Sequence, residues 1–151
     1  MRITVFVLLF LAIGLPEATA QKSFYNTDKG VIAAGYDVVA YFGGKAQKGA
    51  ANLSVMYDGI EFYFVSESHR KLFEATPEKY VPQYGGWCAY AMGTKGSKVE
   101  IDSETFEIRD GRLYLFYNAF FTNTFESWKE EGPVKLKVQA DTNWGNQEHK
   151  K

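Results

Sequence analysis

Cysteine is nearly absent from this 151-residue chain: there is one, Cys88, so no intrachain disulfide can form. Stability has to come from an apolar core rather than from cross-links. Histidine is scarce as well, with two residues. His149 lies in the C-terminal tail, so any chemistry that needs an imidazole rests on His69. Cys-x-x-Cys, His-Glu-x-x-His and Gly-x-Ser-x-Gly are missing, as is a glycine-rich phosphate loop. Their absence removes the usual signatures of dithiol redox chemistry, zinc proteolysis and nucleophile-elbow hydrolysis. No sign of charge dominates: 17 Lys and Arg against 18 Asp and Glu leave a net charge of −1. A nucleic-acid binder needs a basic face, so nucleic acid is not an expected partner. Repeats, low-complexity tracts and long linkers are absent too.

Long hydrophobic runs are confined to the N-terminus. Arg2 precedes an uncharged run over residues 3–15, Pro16 breaks it, and Ala18-Thr19-Ala20 supplies a small-x-small cleavage signature before Gln21. This is the layout of a secretory signal peptide over residues 1–20. The run is too short for a comfortable membrane span. The expectation is an exported protein, periplasmic or extracellular, cleaved between Ala20 and Gln21, with no transmembrane segment in the mature chain.

What is abundant is aromatic: 12 Phe, 10 Tyr and 3 Trp supply large apolar areas for one core. Two segments alternate around Asp-Gly, the preferred two-residue hairpin turn. Around Asp58-Gly59 the register pairs Tyr57 with Ile60, Val55 with Phe62 and Leu53 with Phe64 on one face. Around Asp110-Gly111 it pairs Ile108 with Leu113 and Phe106 with Leu115, with Glu107 and Tyr114 pointing the other way. Ser66 predicts the cap of a helix running to about residue 75, with His69, Leu72 and Phe73 sharing a face. Thr76-Pro77 restarts a short helix that Pro82 ends. The stretch 120–130 reads as an amphipathic helix with Phe121, Phe125 and Trp128 in line. A last helix over 134–144 is expected to bury Val134, Val138 and either Asp141 or Trp144. Strand pairs followed by helices predict an α+β fold: two antiparallel β-hairpins packed against several short α-helices.

Three segments stand out: Gly35-Tyr36-Asp37-Val38-Val39-Ala40-Tyr41-Phe42, then Phe62-Tyr63-Phe64 through His69 to Phe73 with Pro77-Glu78-Lys79-Tyr80, then Gly85-Gly86-Trp87-Cys88-Ala89-Tyr90. In this order they resemble the YHS domain family, in its exported, stand-alone branch. The resemblance implies a YHS-like domain over 30–145, which leaves a short lead over residues 21–29 and, from its lysines, a disordered polar tail over 146–151. It also implies a small metal-associated module. Metal-handling members carry a cysteine-rich opening and a cysteine after the second-strand Phe. Here Tyr36-Asp37-Val38 and Val65 stand at those places.

Cys88, His69 and Asp37 are then the candidate metal ligands. Thiolate and imidazole suit copper or zinc, and Asp37 adds an oxygen for zinc. Tyr36, Tyr41, Tyr84 and Trp87 are the candidate lining of a ligand pocket. Each residue also has a plainer role. Cys88 serves as a small buried hydrophobe, His69 as a hydrogen-bonded structural histidine, and Asp37 as the cap of a turn near residues 38–41. Three functions remain open: a non-catalytic module for a metal ion or small ligand, a thiol enzyme using Cys88 with His69 as base and Asp37 behind it, and a scaffold without ligand. The first is favoured. Asn52-Leu53-Ser54 also matches a glycosylation sequon.

Overall fold

Both Asp-Gly turns form as the alternation predicts. Asp58 and Gly59 have φ of 51° and 75°, and Asp110 and Gly111 have 50° and 70°. Two successive positive φ values give the mirror-image turn whose twist matches the strands it joins. The computed structural model describes residues 24–148. The signal peptide expected over 1–20 and the last residues of the expected tail lie outside the described residues.

The first turn joins β3 (Ala50–Tyr57) to β4 (Ile60–Phe64) and the second joins β5 (Asp102–Arg109) to β6 (Arg112–Phe116). Tyr57 faces Ile60, Val55 faces Phe62, Phe106 faces Leu115 and Ile108 faces Leu113, all as expected. Leu53 does not face Phe64: the register shifts and Ala50 takes that place. The cause lies one residue upstream. A Cβ on Gly49 would stand 2.5 Å from the Tyr63 carbonyl carbon, so the two backbones approach as only glycine permits. That contact fixes Ala50 against Phe64 and leaves residues 51–53 as surplus length in the strand.

Two short strands, β1 (Thr27–Asp28) and β2 (Val31–Ile32), extend the first hairpin into a sheet of order β1-β2-β4-β3, with β2 parallel to β4. Residues 24–29 are thus built into the fold rather than forming a loose lead. Asn26 N–H donates to the Gly85 carbonyl at 2.8 Å, and the Trp87 indole N–H donates to the Phe24 carbonyl at 3.0 Å.

The helices are α1 (Glu67–Ala75), α2 (Pro77–Tyr80), α3 (Ala89–Lys95), α4 (Thr124–Glu131) and α5 (Pro133–Glu148). With the small, mainly antiparallel sheets they make an α+β domain. Ser66 caps α1, its hydroxyl accepting the His69 N–H at 3.1 Å. Phe73 is buried on that helix, while Leu72 is left half exposed.

Two helical expectations need correction. The helix expected from residue 120 starts at Thr124, because the Asn123 side chain accepts the Phe125 N–H at 3.0 Å and caps it there. Phe120 and Phe121 instead form the turn of a tiny hairpin between β7 (Asn118–Ala119) and β8 (Thr122–Asn123). Both are fully exposed and at positive φ. In α5 the buried residues are Leu136 and Ala140, while Val134 and Val138 face solvent at 70% and 60% exposure. A two-residue offset is about 200° around a helix, so the expected stripe lies on the opposite side. Trp144 is half buried against the core, as expected, and the helix runs on past residue 145 to Glu148.

The core is divided in two by β6. Leu113 and Leu115 point into a cluster with Ile60, Phe62, Phe64, Phe73 and Tyr41. Tyr114 and Phe116 point into a second cluster with Tyr84, Met92, Trp128, Leu136 and Ala140. The face of β6 read as merely turned away is therefore the floor of a second core. No helix among the described residues is long and apolar enough to cross a membrane.

Candidate functional site

Asp37 is completely buried and fully engaged. Its Oδ1 accepts the N–H groups of Val39 and Ala40 at 2.8 and 3.2 Å, which caps the 3₁₀ turn Ala40–Gly43. Its Oδ2 accepts the Val65 N–H at 2.8 Å and lies 2.7 Å from His69 Nδ1. A carboxylate offers about four lone-pair sites, and all four are taken. Since every other neighbour is a donor, His69 Nδ1 donates its proton here. The capping role of Asp37 and the hydrogen-bonded role of His69 are both what the structure shows. His69 keeps 28% of its side chain exposed.

Cys88 stands elsewhere, just before α3 and without solvent exposure. Its Sγ accepts the Tyr117 N–H at 3.4 Å and lies 3.4 Å from Thr124 Oγ1. The Thr124 hydroxyl already donates to the Tyr117 carbonyl at 2.8 Å, so the thiol is the donor to Thr124. Cys88 thus closes a ring of hydrogen bonds that ties the end of β6 to the start of α4. Neither of its partners is His69. The relay from thiol to imidazole to carboxylate that a thiol enzyme requires is broken at its first contact. Among the described residues no group of three or more His, Cys, Asp or Glu side chains is placed to hold a metal ion. Two of the three expected ligands meet each other: the Asp37 oxygens and His69 Nδ1 are occupied by the protein, and Cys88 stands apart from both.

A cavity of about 390 Å³ opens where the two cores meet. It is lined by Phe24, Tyr25 and Tyr57, by residues 81–85 with Glu78, and by Asp141, Trp144 and Gly145 of α5. The sequence places these segments far apart, and the fold brings them together through the Phe24–Trp87 and Asn26–Gly85 bonds. Phe24 and Trp144 rings lie 4.6 Å apart, and Tyr84 and Trp144 6.2 Å apart.

The polar chemistry of this cleft has one sign. Its lining holds two carboxylates, Glu78 and Asp141, and no basic side chain. The Tyr57 hydroxyl donates to Glu78 Oε1 at 3.1 Å, and the Tyr84 hydroxyl to Asp141 Oδ1 at 2.8 Å. The bond to Glu78, chiefly, raises the Tyr57 pKa above its ordinary value. Burial, and then the bond to Asp141, raises that of Tyr84. Both phenols therefore stay neutral donors that hold the carboxylates in place. Lys137 Nζ reaches the other oxygen of Asp141 at 2.9 Å.

Of the four aromatics expected to line a pocket, Tyr84 does. Tyr41 is buried, donating to the Ser103 carbonyl at 2.7 Å. Tyr36 donates to Glu104 at 3.0 Å, and Trp87 supports the cleft from behind through Phe24. Tyr57, Glu78, Asp141 and Trp144 were not singled out as ligand-lining residues, and only their aromatic or acidic character hinted at the role. No family model, curated protein or solved structure matches the chain.

Proposed function

We propose that the chain is a non-catalytic, exported binding module of the YHS-like type, and that it holds a small ligand in the aromatic cleft between Tyr57, Tyr84 and Trp144. The observation that carries this reading is the cleft itself: its volume lies within the roughly 300–1,000 Å³ range of small-molecule sites, and apolar walls with a few fixed polar groups are their usual make-up. Export is supported by the layout of residues 1–20. The YHS-like reading is supported by the three sequence segments, whose residues sit at junctions of this fold: Asp37 ties three segments, and Gly85 and Trp87 anchor the N-terminal strand. Copper or zinc is the weaker part of the reading, because the side chains of Cys88, His69 and Asp37 are each engaged within the protein.

The test is a fragment screen on the labelled mature protein by NMR. Ligands of this site shift the Trp144 indole and the Gly85 and Gly145 amides together, and Tyr84→Phe weakens them. Shifts confined to residues around Cys88 and His69, with the cleft signals unmoved by any fragment, would place the function elsewhere.

A further inference from the structure

Taking the cleft to be a binding site, we infer that its ligand is a compact organic cation, an alkylammonium group of trimethylammonium type, held against the faces of Tyr57, Tyr84 and Trp144 beside Glu78 and Asp141. The inference rests on the proposed function above and names the chemical class that site takes.

The charge pattern selects the sign. Two carboxylates and no basic group line the cavity, so an anionic ligand would lose its hydration to meet like charge. The Asp141 charge is shared with Lys137. The carboxylate of Glu78 makes no ion pair among the described residues, its side-chain partner being the neutral Tyr57 phenol. Within the lining itself, the Glu78 carboxylate is the charge left for a cation to meet.

The walls select the kind of cation. A bare metal ion needs several free oxygen, nitrogen or sulfur ligands, and the cleft offers rings in their place. An alkylammonium carries its charge inside a shell of methyl groups. That shell packs on Val81 and Pro82 while the charge lies over the electron-rich ring faces. Trp144 already receives such a group from the chain itself: Lys98 Nζ lies 5.7 Å from its ring centroid. A second cavity, of about 480 Å³, offers a contrast. It lies between α2 and the Asp110-Gly111 turn, mixes Glu78, Lys79, Asp110 and Arg112, and has no aromatic ring. It has neither the single sign nor the faces that this ligand class requires.

The experiment titrates the full mature protein with choline and with 3,3-dimethyl-1-butanol, which has the same shape without the charge, following the Trp144 indole by NMR. The expected result is that choline binds in the cleft at least about fivefold more tightly than the neutral isostere, the size of one good cation–π contact. Glu78→Gln abolishes that preference and leaves the isostere unchanged; Asp141→Asn repeats the comparison in case the first variant disturbs the Tyr57 contact. Equal binding of the two probes at Trp144, or binding of neutral fragments alone, overturns the cation and leaves the cleft standing as a binding site. A Trp144 signal that no probe or fragment moves overturns both.

Discussion

Asp37 Oδ2 is shared between two partners from one neighbouring segment: the Val65 N–H at 2.8 Å and the His69 ring at 2.7 Å. The carboxylate therefore fastens the end of β4 and the first turn of α1 to the 3₁₀ turn that follows residue 37. Removing it leaves the Val39 and Val65 N–H groups and an imidazole without their acceptor, while the Ala40 N–H keeps the Asp37 backbone carbonyl at 3.1 Å. Asp37→Ala is expected to cost about 3–5 kcal/mol, as for breaking a buried charged network. His69→Ala is expected to cost about 1–3 kcal/mol, because Asp37 keeps its three amide donors. Urea denaturation of both variants checks the order. Equal costs would mean that the ring, not the amides, carries the junction.

Cys88 is expected to be chemically silent in the folded protein. It has no exposure, and its thiol donates to Thr124. Maleimide should label it only at the rate of global unfolding, rising in step with urea. Cys88→Ala should fold and cost about 1–2 kcal/mol, the scale of a small core truncation with a lost weak hydrogen bond. Rapid labelling in native buffer would show that the ring around Tyr117 opens.

Local signals in the sequence were read well, and the failures have a common cause. Asp58-Gly59 and Asp110-Gly111 encode their turns within two residues, so both hairpins were legible. Ser66 encodes a cap in the same way. In α5, however, two apolar stripes compete, Val134 with Val138 and Leu136 with Ala140. Which one is buried depends on where α3 lies, and no local pattern records that. Phe121 has helical spacing with Phe125 and Trp128, yet the Asn123 cap starts the helix after it. Asp37 and His69 are joined in the sequence only through a shared metal or a Cys88 relay, whereas the structure pairs them without Cys88. The cleft joins Tyr57, Glu78, Tyr84 and Trp144 from four distant segments, so nothing short of the fold assembles it.

The Phe120-Phe121 turn runs against its own local preference. Both residues have positive φ, at 49° and 65°, and both rings are in solvent. A left-handed conformation costs an ordinary residue about 1–2 kcal/mol, and Asn-Gly is the pair suited to this turn. The double change Phe120→Asn with Phe121→Gly is expected to raise stability by about 1–3 kcal/mol. The measurement is the urea midpoint at constant slope. An unchanged or lowered midpoint would mean that the rings are held by contacts made in solution.

Tyr114 carries a buried hydroxyl with no hydrogen-bond partner among the described residues. Its ring packs against Tyr84 and Trp128 on the floor of the second core. An unsatisfied buried hydroxyl weighs against folding, so deleting it keeps the packing and removes the cost. Tyr114→Phe is expected to leave stability unchanged or to raise it by up to about 1 kcal/mol. A loss of more than about 1 kcal/mol would reveal a water or a side chain bonded to that oxygen.

Alkaline pH should unfold this protein through its tyrosines. Burial raises the pKa of Tyr41, Tyr84 and Tyr114, while carboxylate hydrogen bonds raise those of Tyr36, Tyr57 and Tyr90. An unfolded tyrosine loses its proton near pH 10. A folded group with a raised pKa keeps its proton beyond that point, so the unfolded state binds fewer protons there. The stability these groups contribute is fully present below about pH 10 and declines as pH rises toward their folded values. Phenolate absorbance should therefore appear in two stages: an early, reversible one from exposed phenols, and a later one that coincides with loss of the near-ultraviolet dichroism. Tyr84→Phe should shift the second stage to higher pH. Titration of all ten tyrosines in one early step, with the fold intact, would show that the buried phenols are open to solvent.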